Sequence, residues 1–516
     1  MKDNKVVRAA VIDIGTHSIR LLIAEEAESD IKVLESLKNV TLLGKDTFYK
    51  GRFSQETINR TVAILEKYAE KLKEYDISDV KVIATTAVRE ADNRDVFIDT
   101  ISRRTGLNIE VFTAGDVIYY IDAYLYHILK DKYPLHTKNL LIAEIGAGSL
   151  DISVMAQGYT LMNIGLPLGM LRLKQLMSKL DGSRKENYAA VGENIECEFA
   201  YLKRDLASVK VDDIILIDES YTSFLPKLIP EKVFQHKFFQ MNLAETQGLL
   251  ETIANQDAEQ IAAEHKIPSE SADTFAGYAM ILNTFANLTE NKNIHILEAS
   301  LAEAVLAYMV LDFEVSQKYN KTNQLISVSK WLCEKYNVDL RHVQHIAEMS
   351  ETLFDGFKET LGLKKSDLLY LLLASYLHPI GMFIYNRAHH KHTEYIISNL
   401  NLFRLTDEEI KVIACIARYH RRGLPADSHL VYQSLAKDKQ ILVQKLSSIL
   451  RISNALDRAH KLKVKKLQVE FTRGQDIVLQ VRVEGNFVLE KLEFIDKKEM
   501  FEEISGKKIN LKIQSI

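Results

Sequence analysis

Two stretches of the chain share a pattern that restricts its fold more than any other feature. In Val11–Ala24, VIDIGTHSIRLLIA, an apolar run ends in the carboxylate Asp13. Gly15-Thr16-His17-Ser18 then makes a turn, and Ile19, Leu21 and Ile23 follow at period two. In Leu140–Gly158, LLIAEIGAGSLDISVMAQG, the run ends in Glu144 and the turn is Gly146-Ala147-Gly148-Ser149. Leu150, Ile152 and Val154 then alternate with Asp151 and Ser153. Alternation after a short glycine turn reads as strand, tight turn, strand. A dinucleotide fingerprint is excluded, because its glycines open a helix. Glycines let backbone N–H groups approach a phosphate closely, and a carboxylate beside them can hold a metal. Asp13 and Glu144 lie 131 positions apart, a full domain length, so two similar halves each presenting a phosphate-type hairpin are expected.

The chain of 516 residues has length for about three or four domains. Its formal net charge of −4 gives no overall pull toward nucleic acid or an anionic membrane, so any polyanion site must be a local surface. Three scattered cysteines, Cys197, Cys333 and Cys415, suggest neither a disulfide framework nor a CxxC metal site. The N-terminus runs into a strand without a signal-type apolar region, and no apolar run reaches membrane length. A soluble, cytoplasmic protein is expected.

Taken in order, Val6–Ile14, Ile19–Ala24 and Ile31–Leu34 read as strands. Ser54 is the expected N-cap of a helix whose apolar stripe is Ile58, Val62, Leu65, Tyr68 and Leu72. Val80–Thr85 is a buried strand, with Arg89 just beyond it. Glu110–Thr113 is a short strand, and Asp116, Tyr120, Tyr124 and His127 share a helical segment. The second half adds Leu161–Leu166, a helix around Met170–Leu180, helical pattern to about Leu206, and the strand Ile214–Asp218. Such strand–helix alternation means α/β. From about Glu314 the 3.6-residue period dominates up to His460, predicting an all-helical domain. Lys463–Ile516 returns to alternation, with one helix near Lys497–Ile504, as a small α+β module. The expected domains are 1–135, 136–312, 313–462 and 463–516, with soft boundaries.

Between two facing hairpins an oligophosphate would be held by backbone N–H groups, Thr16, Ser18 and Ser149, with Mg²⁺ bridging a carboxylate and the phosphates. Asp116 and Asp151 are candidates to orient or deprotonate a water. Arg89 and Arg172 are candidates to pair with phosphate oxygens. In the helical part, His342, the His378 segment, His390, His392 and Asp457 read either as satisfied structural residues, the more expected outcome, or as a metal set. There, Pro379 stands where such a site would want an aspartate. The basic runs Lys461–Lys466 and Arg418–Arg422 read either as a solvated face or as a polyanion path.

These residues resemble the exopolyphosphatase/guanosine pentaphosphate phosphohydrolase (Ppx/GppA) family, within the sugar kinase–actin–Hsp70 superfold, over nearly the whole chain. VIDIGTHSIRLLI is similar to the family's first phosphate hairpin, D-[IL]-G-S-N-S, and AEIGAGSLD to its second, D-I-G-G-G-S-x-E. ATTAVREA is similar to its T-x-x-x-R-x-A segment and GLPLGMLRL to its L-G-x-x-R-L segment. RHVQHIA, LHPIG, HHKHTEYII, ARYHRRGLP and LRISNALDR resemble the helical HD-like domain of its longer members. The resemblance implies two ribonuclease-H-like (actin-like) domains, then the helical HD-like domain and the α+β module. It also implies Mg²⁺, or another divalent cation, and hydrolysis of a terminal phosphoanhydride of inorganic polyphosphate or guanosine pentaphosphate, with guanosine tetraphosphate a further ligand of the same class. The metal would be served by Asp13 and Glu144. Phosphate would be held by Gly15, Thr16, His17, Ser18, Arg89, Gly146, Ala147, Gly148 and Ser149, and catalysis would fall to Asp116 and Asp151. A homodimer is expected.

The chain departs from the family pattern at named places. Counted without a gap, the glutamates of the family's I-S-G-x-E-E-A segment fall on Val117 and Ile118, with Asp116 the nearest acid. The second hairpin carries Glu144 for Asp, Ala147 for Gly and Asp151 for Glu. Asp218-Glu219-Ser220-Tyr221 replaces a glycine-rich phosphate segment, and Ser300–Ala304 lacks an arginine. Two readings therefore stand: a phosphohydrolase, and a catalytically impaired relative that binds nucleotide or polyphosphate as a regulator. A kinase of the same superfold is a third class, disfavoured by the Asp218–Tyr221 segment.

Overall fold

The computed structural model describes residues 7–27, 30–41, 43–129, 132–207, 209–229, 238–288, 290, 293–311, 320–421, 423–426, 428–472 and 476–515. The chain divides into two compact units, Met1–Asn320 and Lys321–Ile516. The expected boundary at 312–313 lies outside the described residues.

The first unit holds two sheets of the same design. One runs β3-β2-β1-β4-β5, from β1 (Arg8–Ile14), β2 (Ser18–Ala27), β3 (Asp30–Val40), β4 (Val80–Ala84) and β5 (Ile109–Val111). β1, β2 and β3 form an antiparallel meander, and β4 and β5 continue from β1 in parallel. The other uses β6 (Asn139–Ile145), β7 (Leu150–Ala156), β8 (Tyr159–Leu166), β9 (Asp213–Ile217), β10 (Phe238–Asn242) and β11 (Asn293–Leu297), in the order β8-β7-β6-β9-β11-β10. Its β8-β7-β6-β9-β11 portion repeats the first sheet, and β10 adds an antiparallel edge. This duplication gives the two similar halves expected from hairpins 131 residues apart, in the actin-like arrangement that the resemblance implies.

Central strands of such sheets are covered on both faces and read as continuous apolar runs. Ala9 through Ile12 and Ile14 in β1 are fully buried, as are Ile214–Leu216 in β9. The helix Gln55–Glu74 begins where expected: the Ser54 side chain accepts a hydrogen bond from Thr57 N, and Ile58, Val62, Leu65, Tyr68 and Leu72 enter the core. The helices Ala114–Leu129 and Leu301–Val310 pack on each other, the first also on β7 and β8 and the second on β1 and β2. Each half's last described helix thus rests on the other half's sheet, which brings the two hairpins to one cleft.

The second unit is mainly helical: Lys321–Lys335, Leu340–Leu361, Leu368–Leu377, His389–Ser398, Asp407–Arg418 and Lys437–Leu456. Its C-terminal segment forms a sheet of β12 (Val464–Phe471), β13 (Ile477–Val483) and β14 (Ile509–Ser515). β12 packs on Leu340–Leu361, where Gly356 leaves room for Val469. Two helices stand where one was expected, Val488–Lys497 and Glu499–Ser505. The first escapes a periodicity reading because its outward face is apolar: Val488, Leu489, Leu492 and Ile495 are all exposed.

The candidate histidine set is not brought to one point. Asp457 spends Oδ2 on His342 Nδ1 at 2.8 Å and Oδ1 on the amides of Lys461 and Leu462, while Pro379 offers no ligand. In the basic runs Lys463 pairs with Glu490, Lys465 with Glu484 and Arg418 with Glu394, so these cations serve the fold; Arg422 lies outside the described residues. Among the described residues no helix is long and apolar enough to cross a membrane.

Candidate active site

The two hairpins close in the same way. Gly15 N donates to Ser18 O at 3.0 Å, and Gly146 N donates to Ser149 O at 3.0 Å. A side chain at either glycine would press on the carbonyl it binds: an added Cβ would lie 3.0 Å from Ser18 O or Ser149 O. Neighbouring segments hold the turn carbonyls away from the cleft. Gly44 N binds Thr16 O and Thr41 N binds His17 O; in the second half Met170 N binds Gly146 O and Leu171 N binds Ala147 O. Among the described residues the N–H groups of Thr16, His17, Ala147 and Gly148 make no backbone hydrogen bond, the condition for an anion cradle.

Both turns line one cleft of about 460 Å³ in the first unit. It brings together Asp13, Gly15, Thr16, His17 and Ser18 with Glu144, Gly146, Ala147, Gly148, Ser149 and Asp151. The turns approach so closely that a Cβ on Gly148 would lie 2.6 Å from Thr16 Oγ1.

A hydrogen-bond relay crosses from one half to the other. Arg89 Nη2 donates to Thr86 Oγ1 at 3.2 Å, Thr86 Oγ1 and Ser149 Oγ are 2.8 Å apart, and Ser149 Oγ donates to Asp151 Oδ2 at 3.1 Å. Arg89 only donates and an ionised Asp151 only accepts, so every hydroxyl in the relay points toward Asp151. Asp151 Oδ1 is buried with no hydrogen-bond partner. Burial pushes the Asp151 carboxyl up to about 6, against the Arg89 charge and the Ser149 hydrogen bond.

Three expected site residues lie outside the cleft lining. Asp116 is not part of the cleft lining: its Oδ2 accepts from Thr113 N at 3.0 Å and Thr113 Oγ1 at 2.8 Å, tying down the start of the helix Ala114–Leu129. Arg89 is also absent from the cleft lining, with Nη1 on the Phe112 carbonyl at 2.6 Å and Nη2 on Thr86 at the start of the relay. Arg172 pairs with Glu90 and donates to Gly148 O, holding the second turn. The cleft meanwhile gains Lys38, Thr86, Val117, Glu219 and Glu270. Thr86 carried a usable signal, since it follows a strand end as the hairpin residues do. Lys38 and Glu219 enter through strand register and loop placement, which no local pattern announces.

The carboxylates fit a hard cation. Burial pushes Asp13 up to about 7, with Glu219 adding to the rise and Arg20 and Lys38 opposing it. Burial and then the charges of Asp151 and Asp13 hold Glu144 well above the usual carboxylate range. Asp13 Oδ1 is shielded and without a hydrogen-bond partner. A divalent cation relieves all of this, and all-oxygen donors select Mg²⁺, Ca²⁺ or Mn²⁺. Mg²⁺ is usually bound by one or two carboxylates together with water and substrate phosphate, and Asp13 and Glu144 would be those two.

The loop after β9 closes one side of the cleft. Asp218 accepts from the amides of Ser220 and Tyr221, and Tyr221 stacks on Tyr278 with ring centres 4.3 Å apart. Aromatic packing therefore fills the position of the glycine-rich segment.

Known proteins bear on this site. The chain is 24% identical, over 86% of its length and 86% of the relative's, to a guanosine-5′-triphosphate,3′-diphosphate pyrophosphatase of Pseudoalteromonas translucida. It is 20% identical to the protein of that name from Aliivibrio fischeri, over 93% of its own length and 92% of the relative's. An exopolyphosphatase structure from Cytophaga hutchinsonii superposes with TM-score 0.52 at 21% identity, covering 59% of this chain and 98% of that one. The Aquifex aeolicus Ppx/GppA family member superposes with TM-score 0.50 at 22% identity, covering 60% and 100%. The Ppx/GppA phosphatase family model matches residues 22–313 and that of Ppx/GppA phosphatase domain III matches residues 325–498, so the chain belongs to the Ppx/GppA phosphatase family.

Proposed function

We propose that the cleft hydrolyses a terminal phosphoanhydride bond of guanosine pentaphosphate or inorganic polyphosphate. The observation that carries this reading is the pair of identically closed hairpins lining one cleft, each with a carboxylate at the end of its first strand. Turn amides, Thr16 and Ser18 hold one side of the phosphate chain and Ala147, Gly148 and Ser149 the other. Asp13 and Glu144 would hold a divalent cation, which supplies charge neutralisation at the phosphoryl oxygens. Asp151 takes the role of water-orienting base: its Oδ1 accepts the proton as the water oxygen attacks phosphorus and the bridging P–O bond breaks. The shortened polyphosphate or nucleotide leaves on the bridging oxygen. Polyphosphate and the guanosine nucleotides share the oligophosphate that the hairpins grip, so both classes are carried.

A second reading has its own observation. Val117, where the family's glutamate falls when no gap is allowed, lines the cleft with an apolar side chain. That favours a protein that binds these ligands and turns them over slowly or not at all. Phosphate release from each substrate with Mg²⁺, comparing wild type with Asp151→Asn, separates the two. Release by wild type at least 10²-fold above the variant supports the hydrolase. Equal release with saturable ligand binding supports the binding protein.

A further inference from the structure

On the reading of the cleft as an oligophosphate hydrolase, we infer that Lys38 is a specificity residue for the phosphates beyond the one transferred. It sets the cleft's preference for a long phosphate chain over a short one. The charges lining the cleft are lopsided. Asp13, Glu144, Asp151, Glu219 and Glu270 all line it, whereas Lys38 is the one lysine or arginine among the described lining residues. A divalent cation on Asp13 and Glu144 offsets those two carboxylates and leaves little for a ligand that gains negative charge with every phosphate. The other cationic side chains nearby are already committed. Arg20 pairs with Glu219, His17 Nε2 lies 3.3 Å from Glu270 Oε2, and Arg172 pairs with Glu90. Arg89 is tied to the Phe112 carbonyl and to Thr86. Lys38 is exposed, and among the described residues its side chain makes no hydrogen bond or ion pair.

Strand register gives Lys38 its place. Asp13 on β1 lies opposite Arg20 on β2, and Arg20 lies opposite Lys38 on β3. Residues directly opposite one another share a sheet face, so the three form one row of carboxylate, guanidinium and ammonium. Adjacent strands lie about 4.8 Å apart, which sets the Lys38 backbone roughly 10 Å from that of Asp13. Val40, the next residue on that face of β3, lines the cleft as well. β3 is the edge strand of its sheet, so the row ends where a long chain can leave the cleft. Lysine carries its charge on a flexible four-carbon stem and meets phosphate as a point charge, which suits a chain passing over an edge. Lys38 therefore meets the ligand along the chain rather than at the reacting bond. It has a second effect on the site. Its charge opposes the rise that burial imposes on the Asp13 carboxyl, so losing it weakens cation binding near neutral pH.

The test compares Lys38→Met and Lys38→Arg with wild type under saturating Mg²⁺ at about pH 8.5, where Asp13 is ionised in all three. Phosphate release and calorimetric binding are read for long-chain polyphosphate, with pyrophosphate as the short competitor. For the long chain, Lys38→Met should raise KM and Kd by about 10-fold or more with kcat changed only a few-fold. The inhibition constant of pyrophosphate should move by no more than about two-fold, because that ligand ends before it reaches β3. Lys38→Arg should restore most of the long-chain affinity, and Lys32→Met, which removes a lysine of the same strand paired with Glu25, should match wild type. A Lys38→Met variant within about two-fold of wild type on the long chain overturns the assignment and leaves a solvated lysine. An equal loss for pyrophosphate also overturns it, since the charge then acts without regard to chain length. Long chains that bind wild type tightly and Lys38→Met weakly, with no phosphate released by either, support Lys38 and refute hydrolysis. A wild type without saturable binding of either ligand refutes the oligophosphate site and the role of Lys38 together.

Discussion

Arg20 and Asp151 hold the same position in the two hairpins, each directly opposite the carboxylate that ends the preceding strand: Asp13 faces Arg20, and Glu144 faces Asp151. The duplicated frame therefore carries opposite charges at one register point. Arg20 counters Asp13 and pairs with Glu219. Asp151 adds its own charge against Glu144. One hairpin is compensated internally and the other carries uncompensated buried charge, which the proposed cation would relieve, so function and stability pull apart at Glu144.

Glu144→Gln should show that opposition. Removing a carboxylate from a buried like-charge pair stabilises the cation-free protein by about 1 kcal/mol, a rise in Tm of roughly 2–4 °C. The same change removes the ligand, so the stabilisation that Mg²⁺ gives wild type shrinks and phosphate release falls by about 10²-fold or more. Thermal melts with and without Mg²⁺, beside a phosphate-release assay, read both effects. A variant less stable than wild type without cation contradicts the electrostatic picture.

Ser149→Ala tests the relay. Losing the Ser149 hydroxyl leaves Asp151 Oδ2 without its donor and cuts the path from Arg89, so the base is misplaced while the turn backbone stays. We expect kcat to fall by about 10²-fold with KM changed only a few-fold. Thr86→Val should do nearly the same, and the double variant little more, because both break one chain. Ser18→Ala, the matching position of the first hairpin, should leave kcat much closer to wild type.

These contrasts also mark what a single sequence can disclose. The hairpins were legible because glycine and period-two alternation are local signals, and the same was true of the Ser54-capped helix. Arg89 was legible as a cation near a strand end, but its role was not, since its partners Phe112 and Asp151 lie 23 and 62 positions away. Asp116 looked like a catalytic acid because position along the chain does not say which way a helix-start side chain points.

Stability should depend on pH through Asp46. Burial pushes this carboxyl up, but hydrogen bonds from Thr57 and from the backbone and side chain of Ser54, with Lys50 alongside, hold it well below the usual carboxylate range. A folded-state pKa below the unfolded value means the contribution is present above about pH 4 and is lost as pH falls below it. Asp46→Asn should cost about 1–2 kcal/mol at pH 7, with the gap to wild type closing below roughly pH 4. Because Asp46 anchors the segment in which Gly44 N holds Thr16 O, the variant should also weaken phosphate binding at neutral pH. Chemical denaturation across pH 3–8 measures the first effect, and substrate KM the second.

Val117→Glu puts an acid where the cleft has an apolar wall. Val117 lies in the first turn of the helix Ala114–Leu129, where the helix N-terminus favours a negative charge by about 0.3–1 kcal/mol. Against that stands a further carboxylate placed in a cleft that already holds Asp13, Glu144 and Asp151, so the cation-free variant should melt below wild type. Mg²⁺ should recover more stability than it gives wild type, because it has more charge to neutralise. With cation present the new carboxylate can share water activation with Asp151, and a well-placed base is worth about 10²–10⁴-fold. Position 117 was not shaped for it, so an increase of about 10-fold in phosphate release is the expected outcome. A folded variant with Mg²⁺-dependent stability and an unchanged rate would show that the acid missing at this wall does not limit the chemistry. A fall in rate would mean that Val117 shapes the substrate pocket.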